Sequence, residues 1–388
     1  MAARPMNEDE VERRVGTLIR DKWTLVRLLG TGGMAAVYVG VHRIGRRDAL
    51  KILHREAAKS KEVCLRFERE AQAVNRFRHP GAVEIRDIDV TEDGAPFLVM
   101  ELLVGESLGD RVARLGRLDV GEVLQHAEQV LDVLTAAHQQ GIIHRDIKPA
   151  NLFWTTEGRL KVLDFGLARI HEGGLVDGLY TKEGATLGTT PYMPPEQAKG
   201  RPIDERADVF SVGATMFRMI TGRYLHDATG AFDLLMKQAR EPAPPIMRYA
   251  PSLPASVAMI IDRALTFDRE KRYLSAATML EDVRSVLRGG APAHAIELDG
   301  GVDRAASTHH VTVVISEAAS SPPVDTQADS AEIPIYLSGF SGIFDASTDR
   351  EPAPLDEPSA PSPPLETTLI SPAGPPPARD PAATKPKG

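Results

Sequence analysis

His144-Arg145-Asp146-Ile147-Lys148-Pro149-Ala150-Asn151 is the stretch on which the reading of this chain turns. It packs a carboxylate, two cations and an amide into eight residues, directly after a helical pattern. Pro149 has a fixed φ and no N–H to continue a helix, so the stretch reads as a loop. Thirteen residues after Asn151 comes Asp164-Phe165-Gly166, preceded by the run Leu160–Leu163. Asn151 and Asp164 offer the hard oxygen ligands that suit Mg²⁺, and Asp146 is a candidate base beside them. Both motifs at this spacing are improbable as a coincidence of two charged turns.

Upstream, Leu29-Gly30-Thr31-Gly32-Gly33-Met34-Ala35-Ala36-Val37 lies between two predicted strands. Glycines there let the backbone approach phosphate oxygens and aim N–H groups at them. A strand rather than a helix follows, so this is not a dinucleotide fingerprint. Lys51 lies 14 residues after Val37, in Ala49-Leu50-Lys51. Strand alternation gives Lys51 and Ala49 the same face. A lysine on an inward apolar face needs an anion, and phosphate or Glu70 of the following helix is a candidate.

The surrounding pattern has two parts. Short Val/Leu/Ile-rich runs at 24–29, 36–41, 48–53, 83–90 and 97–102 read as strands, the last two joined by an Asp93-Gly94 hairpin turn. One helix, at 61–77, interrupts them. From Val120 to Ala137 apolar residues recur at three and four positions, which predicts a helix with Asp119 as N-cap and Glu122 as its capping-box partner. Further helices are expected at 208–221, 255–265 and 275–287. A mostly β lobe is thus followed by a mostly helical one.

Of 388 residues, 42% are hydrophobic and 26% charged, an ordinary globular composition. The single cysteine, Cys64, excludes an internal disulfide framework and fits a reducing, cytoplasmic setting. No apolar run reaches the length of a membrane span, and the start lacks a secretory pattern. The net charge of -8 sits in the last 100 residues, with 14 acidic and 5 basic side chains. The body is therefore near neutral and has no basic nucleic-acid footprint. That acidic tail also holds 16 of the 29 prolines, and reads as mostly disordered. Its apolar patch at 333–344 and its proline spacings are candidate docking motifs for an adaptor. The first 15–20 residues, charged, read as loose. The expected organisation is an N-terminal extension at 1–22, a folded unit at 23–288 divided near 103, and the tail at 289–388.

Taken together, these motifs resemble the eukaryotic-type (Hanks-type) serine/threonine protein kinases, and the wording GTGGM resembles their bacterial branch. The likeness implies an α+β, two-lobed fold with ATP between the lobes, Mg²⁺ or Mn²⁺ as cofactor, and Ser/Thr-bearing protein substrates in signal transduction. It implies that Gly30, Gly32 and Gly33 cover the phosphates beside Leu29, and that Val37 and Ala49 roof the adenine. Met100 would guard the back of that pocket, with Glu101 and Leu103 offering backbone hydrogen bonds. Lys51 would grip the phosphates and pair with Glu70. Asp146 would orient the substrate hydroxyl, Lys148 would neutralise the transferring group, and Asn151 and Asp164 would hold the metal. Thr189 would bond the lysine and aspartate of the loop, and Thr181 and Thr186 are candidates for autophosphorylation. Glu196 pairing with Arg272, and Asp208 anchoring the loop, carry structural roles. Ala35 stands where a third glycine is usual, Pro194 where alanine is usual, and no proline precedes Arg269. The competing readings are a kinase-like scaffold without catalysis and a small-molecule phosphotransferase.

Overall fold

Alternation of apolar and polar residues between Leu18 and Glu101 builds one antiparallel sheet. The computed structural model describes residues 11–165 and 190–297. The strands are β1 (Leu18–Ile19), β2 (Trp23–Thr31), β3 (Ala35–His42) and β4 (Arg47–Leu53), followed by helices α1 (Arg55–Ala58) and α2 (Lys61–Arg76), then β5 (Ile85–Val90) and β6 (Pro96–Glu101). Their order in the sheet is β1-β2-β3-β4-β6-β5. Because side chains alternate, the sheet has two apolar faces. Ala35, Val37, Ala49 and Leu53 face α2, where they meet Phe67 and Ala71. Trp23, Leu25, Tyr38, Leu50 and Phe97 fill the other face.

That outer face explains a departure from the sequence reading. The first 15–20 residues were expected to be loose; 1–10 lie outside the described residues, but beyond them Val11 and Ile19 are buried against Trp23 and Leu25. The Tyr38 hydroxyl donates to the Val11 carbonyl at 2.9 Å, and β1 pairs with β2. An apolar sheet face must be covered, and this segment covers it while its charges stay at the rim. Arg14 pairs with Asp93 at 2.8 Å, and Arg20 with Asp89 at 3.3 Å. Charge in the sequence thus concealed a few well-placed apolar anchors.

Asp48 is fully buried on this side of the sheet. Burial alone would raise its pKa, but hydrogen bonds from Arg86, Trp23 and Arg46 outweigh it and hold the carboxyl below the usual range. A depressed folded pKa contributes stability above the unfolded pKa, near pH 4, and loses it as pH falls through the folded value. Asp48→Asn is therefore expected to cost about 1–3 kcal/mol at pH 7. Its deficit against wild type should shrink steadily below about pH 4. Denaturant midpoints at a series of pH values check this; a deficit independent of pH would rule the carboxylate charge out as the source.

The second lobe begins with β7 (Gly105–Ser107) and α3 (Leu108–Leu115), whose first turn is capped by the Ser107 hydroxyl accepting from Asp110 N–H. Helix α4 (Val120–His138) buries Val123, Leu124, Ala127, Val130, Leu131, Leu134 and Ala137, the stripe expected from their spacing. Asp119 caps it through Gly121 N–H, but the expected capping box does not form. Glu122 instead accepts from Arg111 at 2.6 Å and His126 at 3.1 Å, a pair of side-chain donors that draws it away from the backbone.

Strands β8 (Leu152–Thr155) and β9 (Leu160–Val162) join β7 in a small sheet. Helices α5 (Pro195–Ala198), α6 (Arg206–Thr221), α7 (Ala231–Arg240), α8 (Ala255–Ala264), α9 (Ala276–Leu287) and α10 (Ala293–Glu297) complete the lobe. Helix α6 is buried nearly all round, which makes it the core of the lobe. Buried Asp282 accepts from the N–H groups of His294 and Ala295 at 3.0 and 2.7 Å, and so draws α10 into the folded unit. The acidic tail from 298 onward, with its patch at 333–344, lies outside the described residues. None of the described helices is long and apolar enough to cross a membrane.

Candidate active site

The loop after α4 hangs from α6. Asp208, fully buried, accepts from the backbone N–H groups of His144 at 2.8 Å and Arg145 at 2.7 Å, and from His138 Nε2 at 2.8 Å. Arg145 has φ 67°, a conformation a non-glycine residue adopts only when its surroundings impose it. The paired bonds to one carboxylate supply that constraint. His144 is then oriented at both nitrogens: Nε2 donates to Leu163 O at 2.9 Å, and Nδ1 accepts from Asp146 N–H at 3.2 Å.

A short turn at Pro149–Asn151 follows, with Pro149 at a position that needs no N–H. It folds Asn151 back, so that Nδ2 donates to Asp146 O at 2.8 Å and Oδ2 at 2.9 Å. Lys148 Nζ lies 3.0 Å from the same Oδ2. Asp146 Oδ1 is buried and has no hydrogen-bond partner among the described residues. A buried carboxylate oxygen of this kind is costly unless a ligand satisfies it.

The β8–β9 hairpin brings the second motif alongside. Leu163 N–H donates to Asn151 O at 2.9 Å, so the next residue, Asp164, emerges beside Asn151. Asp164 has φ 53°, a second left-handed non-glycine residue at the site. Its Oδ1 accepts from Lys51 Nζ at 2.7 Å across 113 residues of sequence. Lys51 stands opposite Val37 in the β3–β4 register and is buried. Phe165 locks the turn from behind, packed on Phe77 and His144 at ring distances of 5.1 and 4.8 Å.

Above this cluster, Val37, Ala49, Met100 and Leu103 share one apolar group with Phe153 and Leu163 of the lower lobe, and Leu29 packs against it. The N–H of Leu103 has no acceptor among the described residues, nor do those of Gly33 and Met34 in the glycine loop. Glu101 uses its side chain as well: it accepts from Lys161 Nζ at 2.6 Å and Glu84 N–H at 2.9 Å. A cavity of about 320 Å³ lies behind this stretch, lined by residues that include Phe77, His79, Glu101 and Lys161, and shares only Glu101 with the expected nucleotide contacts.

The expected clamp between Glu196 and Arg272 is present, with bonds of 2.7 and 2.8 Å, despite the missing proline before Arg269. Thr181, Thr186, Thr189 and the side chain of Glu70 lie outside the described residues. Sequence reading missed Phe153, His138 and Lys161. Phe153 carried one weak signal, its place on a strand two residues after Asn151. His138 and Lys161 carried none, since each acts on a residue remote in sequence.

Among the described residues no three His, Cys, Asp or Glu side chains gather to hold a metal by themselves. Two oxygen ligands, Asn151 and Asp164, fit the way Mg²⁺ is held, by one or two protein groups with phosphates and waters completing the shell. Asn151 already spends its Nδ2 donor on Asp146, which leaves its amide oxygen for that purpose.

Comparison with known proteins bears on the family and the fold. A family model described as the protein kinase domain matches residues 23–283. The chain is 35% identical over 284 residues to the serine/threonine-protein kinase PknA of Mycobacterium tuberculosis, covering 72% of this chain and 64% of that one. It is 41% identical over 259 residues to Pkn1 of Myxococcus xanthus, covering 65% and 36% respectively. The chain thus spans less than two thirds of the length of these relatives. Among solved structures, the PknI kinase domain of Mycobacterium tuberculosis superposes with a TM-score of 0.55 at 26% identity, over 70% of this chain and 98% of that one.

Proposed function

Since the chain belongs to the protein kinase domain family, we propose that it is a serine/threonine protein kinase, transferring the γ-phosphoryl group of ATP to Ser or Thr hydroxyls of proteins. The observation that carries this reading is the ion pair between Lys51 and Asp164, beside an Asp146–Asn151 loop with a free, buried carboxylate oxygen.

Each side chain then has a physical task. Magnesium-bound ATP, when present, supplies the transferable group and the divalent charge. Lys51 and Lys148 place positive charge where the phosphoryl oxygens gather negative charge, in a crevice with little water. Two unit charges 4 Å apart interact by roughly 4 kcal/mol at an effective dielectric of about 20, against about 1 in water. Asp146 Oδ1 is the free acceptor that orients the attacking hydroxyl, while Oδ2 is held by Lys148 and Asn151. Asn151 and Asp164 would hold Mg²⁺. Leu29, Val37, Ala49, Met100 and Leu103 offer the adenine an apolar slot, and Gly30, Gly32 and Gly33 the phosphate cover, with Glu101 at its edge.

Regulation by autophosphorylation at Thr181 or Thr186 belongs to the same reading. Arg145 is half-buried, and Asp208 is the acidic group that acts on its charge. Burial pulls its guanidinium below its usual value, with Asp208 opposing. A phosphate on either threonine would offer that cation a partner. Mass spectrometry after incubation with Mg-ATP is expected to find phosphate on one of the two threonines.

The test of the function is transfer of labelled phosphate from ATP to generic protein substrates, compared with small alcohols and sugars. Lys51→Met is expected to lower kcat/KM about 10²–10³-fold, the usual effect of deleting one transition-state charge partner. Background rates in wild type and variant alike would favour the scaffold reading, and transfer only to small alcohols the small-molecule one.

A further inference from the structure

The glycine loop is gripped by a residue outside its own motif. His54 directly follows β4, three positions after Lys51, and stands at the N-cap of α1. Its backbone N–H donates to Met34 O at 2.8 Å. Its ring Nε2 lies 2.8 Å from Gly32 O. A carbonyl only accepts, so Nε2 carries the hydrogen and donates it. Thr31 Oγ1 sits 3.4 Å from the same nitrogen. The loop closes on itself through Gly32 N–H to Ala35 O at 2.8 Å.

One residue thus holds the carbonyls on both sides of Gly33. The N–H groups of Gly33 and Met34, between and beside those carbonyls, are the ones without an acceptor among the described residues. Around Gly33 itself there is open space where a side chain would begin. We propose that His54 is the positioning residue of the nucleotide loop, fixing where these N–H donors stand for phosphate oxygens. The inference rests on the kinase reading above and deepens it.

The physical case has two parts. Glycine loses more freedom on ordering than any other residue, so a loop of this composition is costly to arrange when the ligand arrives. Anchoring two carbonyls beforehand removes part of that cost and appears as affinity. Bonding them to His54 also commits their partial negative charge to a donor rather than leaving it for a polyanion to meet. Because His54 and Lys51 share one strand end, loop and lysine ride on one frame. Among the described residues His54 has no hydrogen bond or ion pair to Asp146, Asn151 or Asp164, so its effect is expected on nucleotide binding and not on the chemical step.

Three variants test this in the full chain: His54→Ala, His54→Gln and His54→Glu. The readouts are KM for Mg-ATP, kcat with a generic protein substrate, and Kd for Mg-ADP by calorimetry. Hydrogen exchange over residues 30–36 reports the loop without nucleotide. Loss of one hydrogen bond predicts a rise of about three- to tenfold in KM and Kd for His54→Ala, with kcat within about twofold. Exchange should quicken in 30–36 and not elsewhere. His54→Gln places an amide donor near the position of Nε2 and should restore KM to within about twofold of wild type. His54→Glu, acceptor-only and similar in size, should bind no better than the alanine variant. If His54→Ala fails to fold, the Gln and Glu pair still decides. An active wild type whose KM is unmoved in His54→Ala, or Gln and Glu variants that behave alike, would overturn this inference alone. A wild type that neither binds Mg-ADP nor transfers phosphate would overturn the kinase reading and this inference with it.

Discussion

Asp146→Asn is expected to lower kcat about 10²–10⁴-fold, the range seen when a positioned proton acceptor is removed. The replacement keeps the shape. Its amide oxygen can still accept from Asn151, so the loop that hangs from Asp208 should hold. What it removes is the charge paired with Lys148 at 3.0 Å, and one of two equivalent oxygens. An asparagine has a single acceptor oxygen, and it cannot serve both Asn151 and a substrate hydroxyl. KM for Mg-ATP should therefore change by less than about threefold, since Asp146 touches neither the glycine loop nor the apolar slot. Single-turnover rates against melting temperature check the claim. A folded variant retaining more than a tenth of wild-type kcat would show that orientation of the hydroxyl rests elsewhere.

Arg272→Ala should cost about 3–5 kcal/mol of stability, the usual result of removing one partner from a buried ion pair. Arg272 is 1% exposed and holds both oxygens of Glu196. It also donates to Thr266 O at 2.8 Å and lies over the Phe210 ring at 4.9 Å. Truncation strands a carboxylate that is itself only 7% exposed. It further releases α5 from the turn that precedes α9, and so loosens the end of the segment leading from Asp164. Because net stability of a domain is about 5–15 kcal/mol, a loss of this size should be plain in denaturant midpoints. Adding Glu196→Leu to Arg272→Met should recover much of it, because the penalty lies in the unpaired charge rather than in the absent pair. No recovery would mean that Arg272 acts through its carbonyl bonds instead.

Much of the upper sheet was legible because strand alternation is a local property. The runs at 36–41 and 48–53 form β3 and β4 within a residue or two of the expected limits. The Asp93-Gly94 turn was equally plain, and Gly94 does take φ 83° there. Helix α4, 19 residues long, followed from the apolar stripe between Val120 and Ala137. Misreadings fell where a long-range partner outbid a local one. Glu122 left the helix cap for Arg111, and a charged N-terminal segment packed through Val11 and Ile19 because an apolar face needed cover. The candidate site divides in the same way. Asp146, Asn151 and Asp164 could be named from motifs, yet the bond from His54 to the glycine loop left no trace in any pattern.

By itself the sequence determined the local conformations: which runs extend, which coil, where Pro149 keeps the chain in a loop, and which carboxylates and amides sit a few residues apart. Those follow from sterics, periodicity and backbone donors, which act over one or two turns of chain. Only the tertiary structure decided that Lys51 bonds directly to Asp164 and that His54 reaches Gly32. Such meetings depend on how sheet and helices pack, and packing is a property of whole faces rather than of any single stretch of residues.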